Sequence, residues 1–420
     1  MSPVAFLVML FISVPVAIVL GVTSIWYIWE SGNTILFDSF AQKIFSGLEN
    51  YGLLAIPLFM LTGELMNEGG MTRRLIALAR IFVGGFRGGL AYINLLANVF
   101  MAAIIGSATA QIAVMSQAMV PAMEEEGYDR GFAAATTAAG GLLAPVIPPS
   151  MMFVIFGVLA QIPIGEMFIA GIIPGLLMAF AFALVITVIG WTQQFPKGAW
   201  MSRTEAFKVL IAALPAMLVP LSIIGGILFG IATPTESAAI ASLIAFLVGW
   251  LIYRDLDPRT LGKMFTRTAA NASMILFMIA AASVFGWVII YEELPQKLAA
   301  LITSITSDPF VFLLIVNLAL LLVGMVIDGI AAIILITPIL LPIATGSYDI
   351  SPYQFGVVAC LNLVLGLLTP PVGIGLYIAS SMSGASPGSI LKSLWPFLVA
   401  VAVVLVLLSF CCSRMVSVTT

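Results

Sequence analysis

Nine stretches of this chain are apolar for about the length of a bilayer-spanning helix, and no other feature narrows its possible folds so far. They run roughly over residues 3–29, 51–70, 131–159, 164–192, 207–232, 236–253, 273–291, 353–380 and 387–412. A hydrocarbon core takes about 20 apolar residues in a helix, and backbone inside it must find its hydrogen bonds within the protein. No polar run between the stretches is long enough for a soluble domain, so residues 1–420 read as one integral membrane unit, an all-α polytopic protein. Composition closes off the soluble alternative: 62% of residues are hydrophobic and 8% charged, where a soluble domain has about 25% charged. The first stretch, Pro3 to Trp29, has neither the basic start nor the cleavage site of a signal peptide. It is expected to remain as a helix ending in an aromatic belt at Trp26, Tyr27 and Trp29.

The rare polar residues exclude several functions. The chain has no histidine, which removes His-dependent triads and the usual zinc ligand. Its three cysteines, Cys360, Cys411 and Cys412, have neither metal spacing nor the look of a disulfide framework. A net charge of -3 leaves no basic footprint for nucleic acid. With no nucleophile–base pair in view, the chain is not read as an enzyme.

Two further apolar regions, about 90–122 and 309–346, carry Gly or Pro near their middles and read as re-entrant hairpins. Charge supports that assignment. With the 71–90 side cytoplasmic, that face holds Arg73, Arg74, Arg80, Arg87, Arg130, Lys197, Arg203, Lys208, Arg254, Arg259, Lys263, Arg267 and Lys392, 13 of the 16 basic residues. Treating either hairpin as a full crossing spoils this positive-inside bias. The N-terminus is then cytoplasmic as well.

Within 50–192 and 273–412 the same elements recur in order: a span, an amphipathic segment, a hairpin, a Pro-broken span (131–159 and 353–380) and a last span. At an offset of 223 Asn94 meets Asn317 and Gly106 meets Gly329; at 222 Pro148-Pro149 meets Pro370-Pro371. Five crossings separate the starts of the two copies, which makes them inverted. Inverted repeats with broken helices mark secondary transporters. A channel is the alternative from another class, although re-entrant loops there usually surround an axial pore. The amphipathic segments, with Leu294, Leu298, Leu301 and Ile305 in one and Arg73, Arg74 and Arg80 beside Leu75, Leu78 and Phe82 in the other, lie in the interface. Arg73, Arg74 and Arg80 are expected near anionic lipid, and the two helices are either ordinary surface helices or arms bracing a moving domain against a fixed one.

The first hairpin turns at Gly106-Ser107-Ala108-Thr109-Ala110-Gln111, where small residues let two short helices meet and expose carbonyls and the Ser107 and Thr109 hydroxyls. Residues 140–150 contain Pro145, Pro148 and Pro149, which remove N–H donors, free carbonyls and break the helix. Gly366-Leu-Leu-Thr-Pro-Pro-Val-Gly373 breaks the second copy in the same way. A broken span facing a hairpin tip offers a carbonyl-and-hydroxyl cage that suits a hard monovalent cation. Inward half-helix N-termini suit a carboxylate. Asp328, just before the tip glycine of the second hairpin, is open to three roles: cation ligand, proton carrier or helix cap. Thr233-Pro-Thr-Glu236 reads as a capping box ahead of a substrate contact. Glu64 and Glu166 read as interfacial, and Glu124-Glu-Glu126 as a solvated turn.

The runs Gly106-Ser-Ala-Thr-Ala, Gly140 through Ser150, Gly230-Ile-Ala-Thr-Pro-Thr-Glu236 and Gly366 through Gly373, in that order, strongly resemble the large membrane subunit of TRAP (tripartite ATP-independent periplasmic) transporters. The likeness covers essentially the whole chain. It implies a scaffold and a mobile transport domain of elevator type, bearing two inverted hairpins and two broken helices. The implied activity is sodium-coupled uptake of an organic acid across the bacterial inner membrane, with sialic acid favoured and a C4-dicarboxylate next. A periplasmic substrate-binding protein and a small four-helix membrane subunit are the implied partners. Carried over by position, one sodium ion sits among Ser107, Gly141, Val146 and Pro148, and a second among Gly324, Asp328, Gly329 and Thr369. Thr109, Ser150 and Gly373 are the candidate substrate-binding residues. A free-standing sodium/dicarboxylate symporter is the near alternative.

Overall fold

The computed structural model describes residues 6, 8–10, 12, 14–32, 35–192, 195–196, 198 and 200–415. Among these residues the regular structure is helical, and it falls into two groups joined by two amphipathic helices. Local capping sets many of the helix starts. Ser202 and Glu205 form a capping box at α10 (Arg203–Leu228), as do Thr233 and Glu236 at α11 (Pro234–Leu247). Asp257-Pro258 opens α12 (Pro258–Tyr291) and Asp308-Pro309 opens α14 (Pro309–Gly324). An aspartate accepts the free N–H groups there, and proline at the first position gives up a donor that the helix does not use.

The framework group contains α1 (Val16–Glu30), α2 (Ile35–Ser46), α3 (Ala55–Glu68), α10, α11 and α12. The inner group contains the first hairpin, α5 (Gly89–Ile105) and α6 (Ala108–Glu125), and the first broken helix, α7 (Arg130–Gly141) and α8 (Met151–Ala160), with α9 (Ile164–Thr192). Its second half is α14 and α15 (Gly329–Tyr348), the broken helix α16 (Pro352–Leu367) and α17 (Ile374–Ser383), and α18 (Pro387–Met415). The linking helices are α4 (Met71–Val83) and α13 (Leu294–Ile305). The two copies share one element order: α4 and α13 start 223 residues apart (71 and 294), α7 and α16 222 apart (130 and 352), and α9 and α18 223 apart (164 and 387).

Burial follows this plan. Every residue from Gln354 to Leu367 in α16 and from Gly131 to Gly141 in α7 is buried, so the broken helices sit at the centre. α9 and α10 turn Leu176, Phe180, Leu184, Phe207, Leu214 and Leu221 outward, the pattern of a lipid-facing surface. Glycines such as Gly324 and Gly366, or Gly140 against Asn98, let the inner helices approach one another closely.

Three expectations from the sequence are modified. Six single helices are long and apolar enough to cross a membrane, and up to eight spans result if each bent pair counts as one. Nine crossings were expected. The spans at 131–159 and 353–380 are each split into two short helices by their prolines, as the sequence predicts, and α3 is bent by 50° from the helix before it. α15 is itself 20 residues long and passes as a span by length and composition, although it was read as a hairpin arm. The third change concerns the arm arginines. Arg74 is not directed at lipid: its guanidinium donates to Asp255 (2.7 Å) and Gly70 O (2.8 Å) and stacks over Tyr253 at 3.7 Å. Arg73 also reaches Asp255, at 3.8 Å. The apolar stripe of α13 does behave as read, with Leu301 and Ile305 exposed. Part of the expected first span, and Lys197, lie outside the described residues.

Candidate functional site

Each hairpin turn meets the break of its own copy through one main-chain hydrogen bond. In the first copy α5 ends at Ile105, Gly106 adopts a positive φ of 61°, and α6 restarts at Ala108. Gly106 O accepts from Met151 N at 3.3 Å, the first residue of the second half-helix. In the second copy Met325 O accepts from Gly373 N at 3.3 Å. There the backbones nearly touch: a Cβ on Gly366 would lie 2.5 Å from the Gly324 carbonyl carbon.

The breaks free carbonyl oxygens, as the prolines require. Among the described residues no hydrogen-bond donor reaches the carbonyls of Val146, Ile147 and Pro148 in the first copy, or of Gly324 and Thr369 in the second. Val146, Pro148 and Gly324 are buried. A buried carbonyl without a donor costs about 1–3 kcal/mol, and buried unpaired groups are rare unless something else satisfies them. Gly141 O, in contrast, accepts from Ala144 N at 3.2 Å.

Two cavities adjoin the tips. The smaller, about 20 Å³, lies between the hairpins and is lined by Ser107, Thr109, Pro145, Asp328, Gly329 and Leu363 among others. It has room for one water-sized guest. The larger, about 520 Å³, has Ser107, Thr109 and Asp328 on one side and α3 and α12 on the other. Its charged lining residues, Glu64, Arg267 and Asp328, leave one net negative charge, which favours a cation near the tips.

The sequence-predicted residues are therefore divided. Ser107, Thr109, Asp328 and Gly329 come together around the small cavity. Ser107 Oγ and Thr109 Oγ1 lie 3.2 Å apart. Asp328 caps α15 by accepting from Ile330 N at 3.0 Å, while its side chain also lines both cavities. The Thr369 hydroxyl donates to Leu365 O at 2.7 Å, which leaves its oxygen lone pairs, together with the carbonyl, able to ligate a cation. Ser150 is fully buried; its hydroxyl donates to Pro145 O (2.5 Å) and accepts from Phe153 N (3.2 Å), which makes it the cap of α8. Neither Ser150 nor Gly373 lines the two cavities at the tips, and Pro148 lines a separate apolar pocket with Phe168 and Ile223.

Behind the tips run two chains of side-chain amides, which link Gln111, Asn94 and Asn317 to partners that the sequence does not reveal. In the first, Gln111 donates to Asn98 (2.9 Å), Asn98 to Asn94 (2.9 Å), Asn94 to Thr137 (2.7 Å), and Thr137 to Ala133 O (2.8 Å). In the second, Asn362 donates to Asn317 (2.9 Å), Asn317 to Ser409 (3.0 Å), and Ser409 to Leu405 O (2.9 Å). Main-chain carbonyls accept at several steps, so the orientation of every amide is fixed. Each chain leaves one buried oxygen without a partner among the described residues, Gln111 Oε1 and Asn362 Oδ1. The matched pair Asn94 and Asn317, at an offset of 223, was the available signal.

Residues 4–413 match the family model of the tripartite ATP-independent periplasmic transporter, DctM component. The chain is 37% identical over 369 residues to the sialic acid TRAP transporter large permease protein SiaM of Vibrio cholerae, covering 88% of this chain and 86% of that protein. It is 35% identical over 372 residues to the C4-dicarboxylate large permease DctM of Pseudomonas aeruginosa, covering 89% and 87%. It is 33% identical over 400 residues to the 2,3-diketo-L-gulonate large permease YiaN of Escherichia coli, covering 94% of each. Among solved structures, the Alcanivorax borkumensis YdaH transporter shares the fold, with a TM-score of 0.67 at 16% identity over 91% of this chain and 89% of that one. These relatives are named as permeases or transporters, not enzymes.

Proposed function

The chain belongs to the DctM component family of tripartite ATP-independent periplasmic transporters, and on that premise we propose that it is the large permease of a sodium-coupled uptake system for an organic acid. Sialic acid is the favoured cargo and a C4-dicarboxylate the next, in line with the names of the relatives. The system works in the bacterial inner membrane with a small membrane subunit and a periplasmic binding protein.

Two observations support the sodium reading: the carbonyls of Val146, Pro148, Gly324 and Thr369 at the breaks and the second hairpin turn have no donor among the described residues, and the Ser107 hydroxyl and the Asp328 carboxylate meet at the small cavity between the tips. All are hard oxygen ligands, the kind that alkali and alkaline-earth ions take and soft metals do not. Ser107, Gly141, Val146 and Pro148 hold one ion; Gly324, Asp328, Gly329 and Thr369 hold the other. Occupied cages satisfy oxygens that otherwise stay unpaired, which fixes the hairpin tips against the breaks. The N-terminal ends of α6 and α15, at the tips, then face a carboxylate with their partial positive charge. The inner group carries tips, ions and acid across the membrane against the framework, with α4 and α13 as the flexible connections.

Uptake into proteoliposomes containing both membrane subunits tests this. An inward sodium gradient with the binding protein present should give accumulation of labelled acid. Equal uptake from a potassium gradient refutes sodium coupling, and full-rate uptake without the binding protein refutes the tripartite reading.

A further inference from the structure

The framework wall of the larger cavity is not a passive surface. On α3 the lining residues are Met60, Gly63, Glu64 and Asn67, and on α12 they are Arg267, Thr268, Asn271, Met274, Ile275 and Met278. These spacings put one stripe of each helix into the cavity. Both stripes are apolar at one end and polar at the other, and the polar ends coincide: Arg267 Nη1 donates to Glu64 Oε2 at 3.2 Å. This polar end is the one next to Met71 on α4 and Pro258 on α12, where the basic loops lie. Thr268 is 5% exposed, and its Oγ1 has no hydrogen-bond partner among the described residues. Arg267 is the one basic residue lining the cavity, and its side chain is half exposed.

Resting on the organic-acid reading above, we propose that Arg267, with Thr268 and Asn271, forms a second carboxylate subsite on the framework, which receives the acid between the hairpin tips and the 254–260 face. A guanidinium has five N–H donors in a fixed fork, and a single bond to Glu64 leaves an edge for a carboxylate. Glu64 acts as the resident counter-ion. It keeps the empty subsite neutral, and an incoming acid must compete with it. The subsite is consequently weak, as a transport path requires: a strong, unopposed arginine would retain the cargo.

The test is exchange in everted vesicles containing the complete system, with labelled N-acetylneuraminate or succinate supplied on the 254–260 side. Arg267→Gln should raise the half-saturation concentration about tenfold, the scale of one charge-assisted hydrogen bond at a half-exposed position. Glu64→Gln, which removes the competitor, should lower it and slow release. Sodium half-saturation should shift far less than the acid constant in both, because neither side chain is a proposed cage ligand. Should Arg267→Gln fail to fold by tryptophan fluorescence melting, Arg267→Lys must move the constant in the same direction by a smaller factor. Equal effects of the two neutralising variants, or no effect, overturn the subsite and leave a pair that only braces α3 on α12. A wild type that moves neither acid refutes the transport reading instead.

Discussion

Substituting Gly366 by alanine probes whether the second cage depends on backbone contact between hairpin and broken helix. The added Cβ would lie 2.5 Å from the Gly324 carbonyl carbon, 2.7 Å from its Cα and 3.0 Å from its oxygen. Carbon atoms are comfortable at about 3.5–4.0 Å, so the two helices must part by roughly 1 Å. All three obstructing atoms are backbone, and no side chain can rotate away. Overpacking of this kind costs about 1–3 kcal/mol. The displaced atoms include Gly324 O, a proposed ligand, and a site held about 1 Å too loosely loses its function. Gly366→Ala should therefore lower the melting temperature in detergent and raise the sodium half-saturation of uptake by about tenfold or more. Gly346→Ala is the control, because nothing lies within 4 Å of its added Cβ and the residue sits exposed on α15; it should be neutral or stabilising by up to about 1 kcal/mol. A Gly366→Ala protein with wild-type melting and wild-type sodium dependence refutes the close-contact argument.

Other regions give separable outcomes. Thr233→Ala removes the hydroxyl that caps α11 and should cost about 1 kcal/mol in unfolding while uptake stays normal; a normal melting curve would show the cap to be irrelevant. Arg74→Gln breaks the contacts to Asp255 and Tyr253 and should cost about 1 kcal/mol with an unchanged sodium midpoint; a shifted midpoint would tie the arm to the cages. Gln111→Met leaves Asn98 Oδ1 without its donor and should cost about 1–3 kcal/mol in thermal unfolding, an expectation that fails if melting is unaltered.

What the sequence disclosed depended on how local the cause is. Prolines at 145, 148 and 149 break a helix whatever surrounds them, so the first break was legible, and Pro370-Pro371 located the second by repetition. The capping box at Thr233 and Glu236 lies within four residues and was equally plain. Long-range pairings were not. Glu64 and Arg267 are 203 residues apart, and each alone reads as an interfacial charge. Arg74 and Asp255 are 181 residues apart, so amphipathic pattern alone pointed Arg74 to lipid when a carboxylate holds it. Ser150 illustrates a third case. A serine at a half-helix start has the chemistry to bind a carboxylate, but the proline-shaped turn brings Pro145 O within 2.5 Å and commits the hydroxyl to capping. The amide chains were hidden because one Asn in an apolar helix is unremarkable until its partners on neighbouring helices are known.

The central claim is that the two hairpin cages hold cations that drive transport, and that the second relies on a carboxylate where the first has only neutral oxygens. Uptake measured against sodium concentration, with all partners present, for wild type, Ser107→Ala and Asp328→Asn tests it most directly. Asp328→Asn keeps the size of the side chain and an oxygen that can still accept from Ile330 N, and removes the charge. The prediction is a severe fall in uptake with a higher midpoint and a shallower sodium dependence for Asp328→Asn, a milder rise in midpoint for Ser107→Ala, and normal folding in both. If Asp328→Asn folds and leaves both midpoint and steepness unchanged, Asp328 is only the cap of α15 and the second cation site is misplaced.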